Sequence, residues 1–156
     1  MNIYELLETD QVAEEKGIWI DISDGVRIKI ASTESKRYRE KVTQLLKPYR
    51  KILQAGGRVP DAKQEQITVD SIVDGLLLDW EGVSDREGAI LEYNRENARK
   101  VVGELKRLRD IVLEVASEAE VFNKRVIEEA AKNLKKPSAG NSPGATKKPS
   151  SSSKQD

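Results

Sequence analysis

Apolar residues spaced alternately four and three positions apart dominate the chain between Asn94 and Leu134 and constrain its fold most strongly. This seam consists of Val101, Leu105, Leu108, Val112, Val115, Ala119, Phe122 and Val126. Such spacing places one face of a helix against another element. Gly103 loosens a helix, so the pattern predicts either one long helix or two consecutive ones, with Asn94 as the N-cap. The seam either covers the remaining fold or stays partly open for a partner helix.

Two apolar segments near the N-terminus are separated by a turn sequence. Residues 17–22 read Gly-Ile-Trp-Ile-Asp-Ile and residues 26–30 alternate as Val-Arg-Ile-Lys-Ile, with Asp24-Gly25 between them. An Asp-Gly pair between two such segments is typical of a β-hairpin. Because two strands alone are only marginally stable, we expect helices to cover the apolar face.

Three further segments predict helices. A short helix is expected at residues 3–8, and a longer amphipathic one at about 33–57, with a kink or break at Pro48. A third helical region is expected at 60–81, followed by a loop at 83–92 in which residues 89–91 resemble a short strand. The apolar stripe of the third region is Val69, Ile72, Val73, Leu76, Leu77 and Trp80. The predicted fold class is α+β, with the N-terminal hairpin packed on three to five helices.

The composition changes abruptly after Leu134. Residues 135–156 contain five Lys, one Asp and only two apolar side chains, those of Ala139 and Ala145. Such a segment cannot bury enough apolar surface to offset the entropy lost on ordering. We therefore expect an α+β domain at residues 1–134 and a disordered Ser/Pro/Lys-rich tail at 135–156. The tail is either a solvated terminus or a weak contact site for an acidic partner.

The residue types that usually carry chemistry are scarce. The chain has no Cys and no His, which removes disulfides, thiolate zinc sites and the most common proton shuttle. The acidic cluster that comes nearest to a metal site does not have the spacing of a calcium loop, and it consists of Asp79, Glu81, Asp85 and Glu87. We expect no catalytic residues, no metal and no cofactor, with carboxylate catalysis as a remote alternative.

Neither the membrane nor nucleic acid is favoured as a partner. The apolar runs are only a few residues long and the first residues lack a basic flank, so we expect neither membrane insertion nor export. One face of the 33–57 helix is basic and carries Lys36, Arg37, Arg39, Lys41, Lys47, Arg50 and Lys51. The equal numbers of acidic and basic residues, 27 each, favour a solvated helix face over a nucleic-acid groove. Nucleic-acid or host-factor binding through this face and the tail stays the alternative function.

Three segments, in the same order along residues 15–134, resemble a known family. The first is the hairpin followed by Lys36-Arg-Tyr-Arg39, and the second is Leu78-Asp-Trp-Glu-Gly-Val83 with Asp85 and Gly88 behind it. The third is Leu-Glu-Tyr-Asn-Arg-Glu-Asn-Ala at 91–98, leading into the last helical region. Together they are similar to the tail assembly chaperones of long-tailed bacteriophages of the HK97-like and lambda-like group. Ser32 stands where that family usually has Arg.

The resemblance implies a non-enzymatic virion morphogenesis factor of the host cell cytoplasm that is absent from the mature virion. Proteins of this kind coat and solubilise the helical tape measure protein and help recruit the major tail protein, often through a longer product made by translational frameshift. The tail at 135–156 resembles the linker region where that switch lies. The resemblance implies no membrane partner and is compatible with a homo-oligomer.

The seam and a nearby Trp supply a hypothesis for the binding surface. An apolar helical groove can shield the apolar stripe of a partner helix. Each copy binds weakly, and many copies on one long partner bind with avidity. Trp19 and Trp80 each fit either a core position or an interface. The predicted partner-binding residues are Trp80, Leu105, Leu108, Val112 and Val115.

Overall fold

The computed structural model describes residues 1–135 of the chain, and it is an α+β fold in which helices cover a three-stranded antiparallel sheet of order β1-β2-β3. The strands are β1 (Ile18–Ser23), β2 (Val26–Ile30) and β3 (Leu77–Glu81). The described α-helices are α1 (Ile3–Leu7), α2 (Gln11–Lys16), α3 (Lys36–Leu46), α4 (Arg50–Gln54), α5 (Asp61–Gly75), α6 (Arg95–Glu104), α7 (Lys106–Ser117) and α8 (Lys124–Lys135). Two 3-10 turns lie at Lys47–Tyr49 and Ala119–Phe122. The tail predicted at 135–156 lies outside the described residues, apart from its first position.

The predicted hairpin is confirmed. Strands β1 and β2 pair antiparallel, with Ile18 opposite Ile30, and the chain reverses at Asp24-Gly25, where Gly25 has a φ of 76°. Trp19 is half-buried on this hairpin, and the Arg27 guanidinium lies over its ring, 4.1 Å from the centroid. Trp19 therefore packs at the edge of the sheet and is no core anchor.

The prediction of helix through Trp80 was wrong, because the chain leaves the helix at Gly75 and forms β3. A two-stranded hairpin leaves the outer edge of β2 with unpaired backbone groups, and β3 satisfies them. Ile28 stands opposite Trp80 and Ile30 opposite Leu77. The helix ends where Gly75 passes the Cα of Tyr38 so closely that a Cβ would be only 3.0 Å away.

The four-three seam is not one continuous helix. The backbone is extended at Leu105, with φ −111° and ψ 92°, and again at Glu118, with ψ 106°. The seam is therefore divided among α6, α7 and α8, more pieces than the two that were predicted, and the break at Leu105 lets α7 pack on β2 and α5. The predicted cap at Asn94 is confirmed, since its side chain accepts a hydrogen bond from the backbone N–H of Asn97 at 2.7 Å.

The core lies between the sheet and helices α5, α6 and α7. Its largest fully buried side chains include Ile28, Ile30, Ile72, Leu76, Leu77, Val102 and Val112. The described residues form eight α-helices where three to five were predicted. The breaks in the seam and the separation of α3 from α4 by the turn at Pro48 account for part of this difference, and α2, which was not predicted, accounts for the rest.

Gly82 is the tightest backbone contact between β3 and the hairpin turn. Its φ is 76°, and a Cβ at this position would overlap the carbonyl oxygen of Gly25. We expect Gly82→Ala to lower the free energy of unfolding by more than about 2 kcal/mol, because it adds a clash to an unfavourable φ.

Gly88 provides the matched control for this prediction. It has a φ of 89° but no atom within 4 Å of a built Cβ, so Gly88→Ala should cost only about 1 kcal/mol for the backbone conformation. Urea unfolding of both variants measures the difference. Equal costs at the two positions would show that the contact with Gly25 is unimportant.

Candidate functional site

Two of the five residues predicted to bind a partner lie in the protein interior. Trp80 is 5% exposed and Val112 is 0% exposed. The Trp80 ring meets the Tyr93 ring edge-on at 5.2 Å, and its Nε1 donates a hydrogen bond to the carbonyl oxygen of Leu91 at 2.9 Å. Burial raises the pKa of Tyr93, and the charge of Asp79 adds to this effect. The Trp80 side chain therefore fixes the 82–94 loop on β3.

The other three predicted residues differ in exposure. Leu108 and Val115 are partly buried and pack against the core, whereas Leu105 is 48% exposed at the break between α6 and α7. Because Trp80 and Val112 are sealed in the core, the five residues do not form an open groove. A partner-binding role for Leu105 stays a prediction.

Three residues of the acidic cluster identified in the sequence each make a separate hydrogen bond or ion pair within the fold. Asp79 accepts a hydrogen bond from the backbone N–H of Trp80, and Glu81 pairs with Arg27 at 2.8 Å across the sheet. Asp85 accepts backbone N–H groups of its own turn, from Glu87 and Ala89 at 2.9 Å each. Among residues 1–135, no group of three or more acidic side chains is arranged to hold a metal ion.

A polar cleft of about 630 Å³ lies beside α2 and the C-terminal end of α7. Its lining includes Ser32 and Thr33, whose polar groups are already engaged within the chain. The Ser32 hydroxyl accepts the backbone N–H of Glu34 at 2.9 Å, and the Thr33 hydroxyl donates to the carbonyl oxygen of Ala116 at 3.3 Å. These hydrogen bonds hold the segment after β2 in place, and the bond from Thr33 connects it to α7.

The largest concentration of exposed apolar side chains is at the N-terminus. Helix α1 has no buried residue at all, and its side chains Ile3, Leu6 and Leu7 are 62%, 53% and 69% exposed. We call this region the N-terminal apolar surface, and it comprises Met1, Ile3, Tyr4, Leu6, Leu7, Val12 and Val126. Several exposed apolar side chains close together make this region a candidate interaction site.

Helix α1 is held in place by its backbone and not by burial of its own side chains. The Asn123 side chain, 7% exposed, donates a hydrogen bond to the carbonyl oxygen of Leu6 at 2.9 Å. Two backbone hydrogen bonds of 2.8 Å hold the same region, from the Asp10 N–H to the Phe122 carbonyl oxygen and from the Lys124 N–H to the Glu8 carbonyl oxygen. The apolar side chains of α1 therefore stay available although the helix is fixed.

Helix α8 runs beside α1 and adds to the same surface. It is amphipathic, with Val126, Ile127, Ala130 and Ala131 at spacings that share one helical face. Val126 is 40% exposed and Ile127 is partly covered. Since α1 contacts α8, the exposed apolar side chains of α1 and Val126 lie on neighbouring helices.

Sequence reasoning detected α1 as a short helix but missed this surface. The predicted binding residues are Trp80 and four seam positions between Leu105 and Val115, and Val126, the last member of the seam, is not among them although it is 40% exposed on α8. The hydrogen bond from Asn123 to Leu6 joins residues more than a hundred positions apart, and no local sequence pattern predicts it.

An ion-pair centre joins α3, α5 and α6 on the other side of the molecule. Asp74 receives Nε and Nη2 of Arg95 at 2.8 and 3.0 Å, and Nζ of Lys41 at 3.0 Å. The hydrogen bond from Arg95, followed by the contribution of Lys41, lowers the pKa of Asp74 against the opposing effect of burial. One turn away, Asp70 pairs with Arg99.

We expect Asp74→Asn to lower the free energy of unfolding by about 1–2 kcal/mol at pH 7, a value reduced by the solvent exposure of Arg95. Because the folded pKa lies below the ordinary value of 3.8, this stabilisation is fully present above that value and is lost as the pH falls through the folded pKa. Urea unfolding at several pH values should show the difference from the parent protein shrink progressively as the pH is lowered below 3.8, and it should be smallest at the lowest pH tested. A difference that persists there would exclude charge as its source.

The protein thus has a buried core, an N-terminal helix α1 that is held by hydrogen bonds, and exposed apolar side chains on α1 and α8. Residues 33–133 match the family of YdaY prophage proteins, so the chain belongs to this family. The match covers about two thirds of the sequence, from just before α3 into α8, and supports a phage origin. No curated protein and no solved structure matches the chain. No helix described in residues 1–135 is both long enough and apolar enough to cross a bilayer.

Proposed function

We propose that this prophage protein is a non-enzymatic tail assembly chaperone that binds and solubilises the helical tape measure protein. The observation that carries the proposal is the N-terminal apolar surface, which is anchored but uncovered in the described chain. In this function the protein acts in the host cytoplasm and is absent from the mature virion. The phage origin of the family and the resemblance of the hairpin and the 78–83 segment to tail assembly chaperones both support it.

The physical need for such a protein arises from the tape measure protein itself. A long helix-rich chain that is not yet enclosed in a tail tube exposes apolar stripes and is prone to aggregation. Two neighbouring helices, α1 and α8, offer an apolar surface on which a third helix can lie, as in helix-in-groove recognition. A single site of this size binds weakly, and many copies along one long partner bind with avidity.

Recruitment of the major tail protein belongs to the same proposal. A longer frameshifted product would carry an additional segment beyond α8, and that segment would bind the major tail protein. The tape measure protein and the major tail protein would then be brought together by one chain. Effective concentration, and not high affinity, would drive their association.

Co-expression tests the proposal. The full chain is produced together with the tape measure protein of the same prophage, and the soluble fraction of the tape measure protein is measured after centrifugation. We expect most of it to be soluble with the chain and most of it to be in the pellet without it. Equal amounts in the pellet with and without the chain would refute the proposed function.

A further inference from the structure

A second surface combines apolar and basic character on α3 and α4. Residues 41–58 contain five basic side chains and no acidic one. A cleft of about 300 Å³ lies here, with Leu46 and Leu53 among its lining residues. We call this the basic apolar surface, and it comprises Leu46, Lys47, Arg50, Lys51, Ile52 and Leu53.

This surface is poorly covered by the rest of the chain. Helix α4 makes its main contacts with the 3-10 turn that precedes it, and Ile52 is 45% exposed. Within residues 1–135, Lys47, Arg50 and Lys51 form no ion pair, unlike Lys41, which pairs with Asp74. Exposed leucine and isoleucine beside unpaired cations fit an occupant that is both apolar and acidic.

The first fifteen residues of the same chain have this combination. They contain five acidic side chains and neither Lys nor Arg. Glu5 in α1 and Glu8 at its C-cap lie close in sequence to the exposed side chains of Ile3, Leu6 and Leu7, and Glu8 also pairs with Lys124 of the same chain at 3.7 Å. The charges of the two surfaces are thus opposite, and both surfaces carry uncovered aliphatic side chains.

We propose that α1 of one copy docks on the basic apolar surface of a second copy. Asn123 and Phe122 hold α1 against its own α8, so the contact is between copies and not within one. Each copy carries one surface of each kind, and such an interface is heterologous and head-to-tail. This interface covers the α1 side chains that the proposed function assigns to the tape measure protein, so the inference rests on that function. The interface would cover the N-terminal apolar surface until the tape measure protein binds.

Charge reversal tests this arrangement by sedimentation velocity of the full chain over a range of concentrations at low salt. Two variants are needed. The first carries Glu5→Lys in α1 with Glu8→Lys at its C-cap, and the second carries Lys47→Glu with Arg50→Glu and Lys51→Glu on the basic apolar surface. Each alone should self-associate at least about tenfold more weakly than the parent, since attraction becomes repulsion. The control reverses two exposed cations of α7, Lys106→Glu with Arg107→Glu, and should associate as the parent does.

The decisive sample is an equimolar mixture of the two variants. Every α1 in the mixture can find a surface of opposite charge on the other variant, so assemblies should return although each variant alone stays monomeric. A parent chain that is monomeric throughout, an unchanged association of either variant, or a mixture that stays monomeric would overturn the inference.

Failure of the inference is separable from failure of the proposed function. The variant of the basic apolar surface keeps α1 intact, so it should still solubilise the tape measure protein while it no longer self-associates. A chain that self-associates as described but leaves the tape measure protein in the pellet would refute only the proposed function.

Discussion

Replacing Leu6, Leu7 and Val126 together with glutamate should weaken binding of the tape measure protein about a hundredfold and move it into the pellet. Each exposed aliphatic side chain that becomes buried in a complex contributes on the order of 1 kcal/mol or more, and a buried unpaired carboxylate opposes binding further. The three side chains are exposed in the described chain, so circular dichroism and the unfolding midpoint should change little. Co-sedimentation with the tape measure protein measures the loss.

Two single variants serve as controls for that result. Ile90→Glu changes a side chain that is 78% exposed but lies on the 82–94 loop, away from α1 and α8. Leu105→Glu changes the exposed member of the groove predicted from sequence. Both should bind the tape measure protein as the parent does. Loss of binding by Leu105→Glu alone would favour the groove predicted from sequence over the N-terminal apolar surface.

Trp80→Ala should lower the free energy of unfolding by about 3–5 kcal/mol, the range for an aromatic side chain removed from a core. The variant loses the packing against Tyr93 and leaves the carbonyl oxygen of Leu91 without the indole donor. Trp80→Phe keeps most of the packing and should lose only about 1–2 kcal/mol, the value of the missing hydrogen bond.

Urea unfolding followed by circular dichroism measures both Trp80 variants. The comparison also separates the two roles that the sequence allowed for this residue. If Trp80→Ala were as stable as the parent but failed to bind the tape measure protein, Trp80 would be an interface residue and not a core residue.

The elements that the sequence predicted correctly are those with a local cause. Asp24-Gly25 between two apolar segments predicts the hairpin, and Asn94 before a periodic segment predicts a helix cap. Strand β3 was missed because Leu76, Leu77 and Trp80 continue the spacing of the preceding helix. Only the unpaired edge of β2, which is a tertiary feature, decides that these residues form a strand.

The exposure of the predicted binding residues was harder to predict than the fold, because periodicity identifies a helical face but not what covers it. Val112 and Leu105 belong to the same seam, yet one is sealed against the sheet and the other lies at a helix break. The difference arises from the extended backbone at Leu105. Gly103 allows a break near this position, but it does not show which seam residues the break leaves exposed. The exposure of α1 depends on Asn123, whose contact with Leu6 has no sequence signature.

Amide hydrogen exchange of the full chain, with and without a soluble helical segment of the tape measure protein, tests the central claim most directly. The account predicts slower exchange on binding in residues 3–16 and 124–133, where α1, α2 and most of α8 lie, and little change in α5. Protection confined to the α6–α7 region around Leu105, or no protection anywhere, would contradict it.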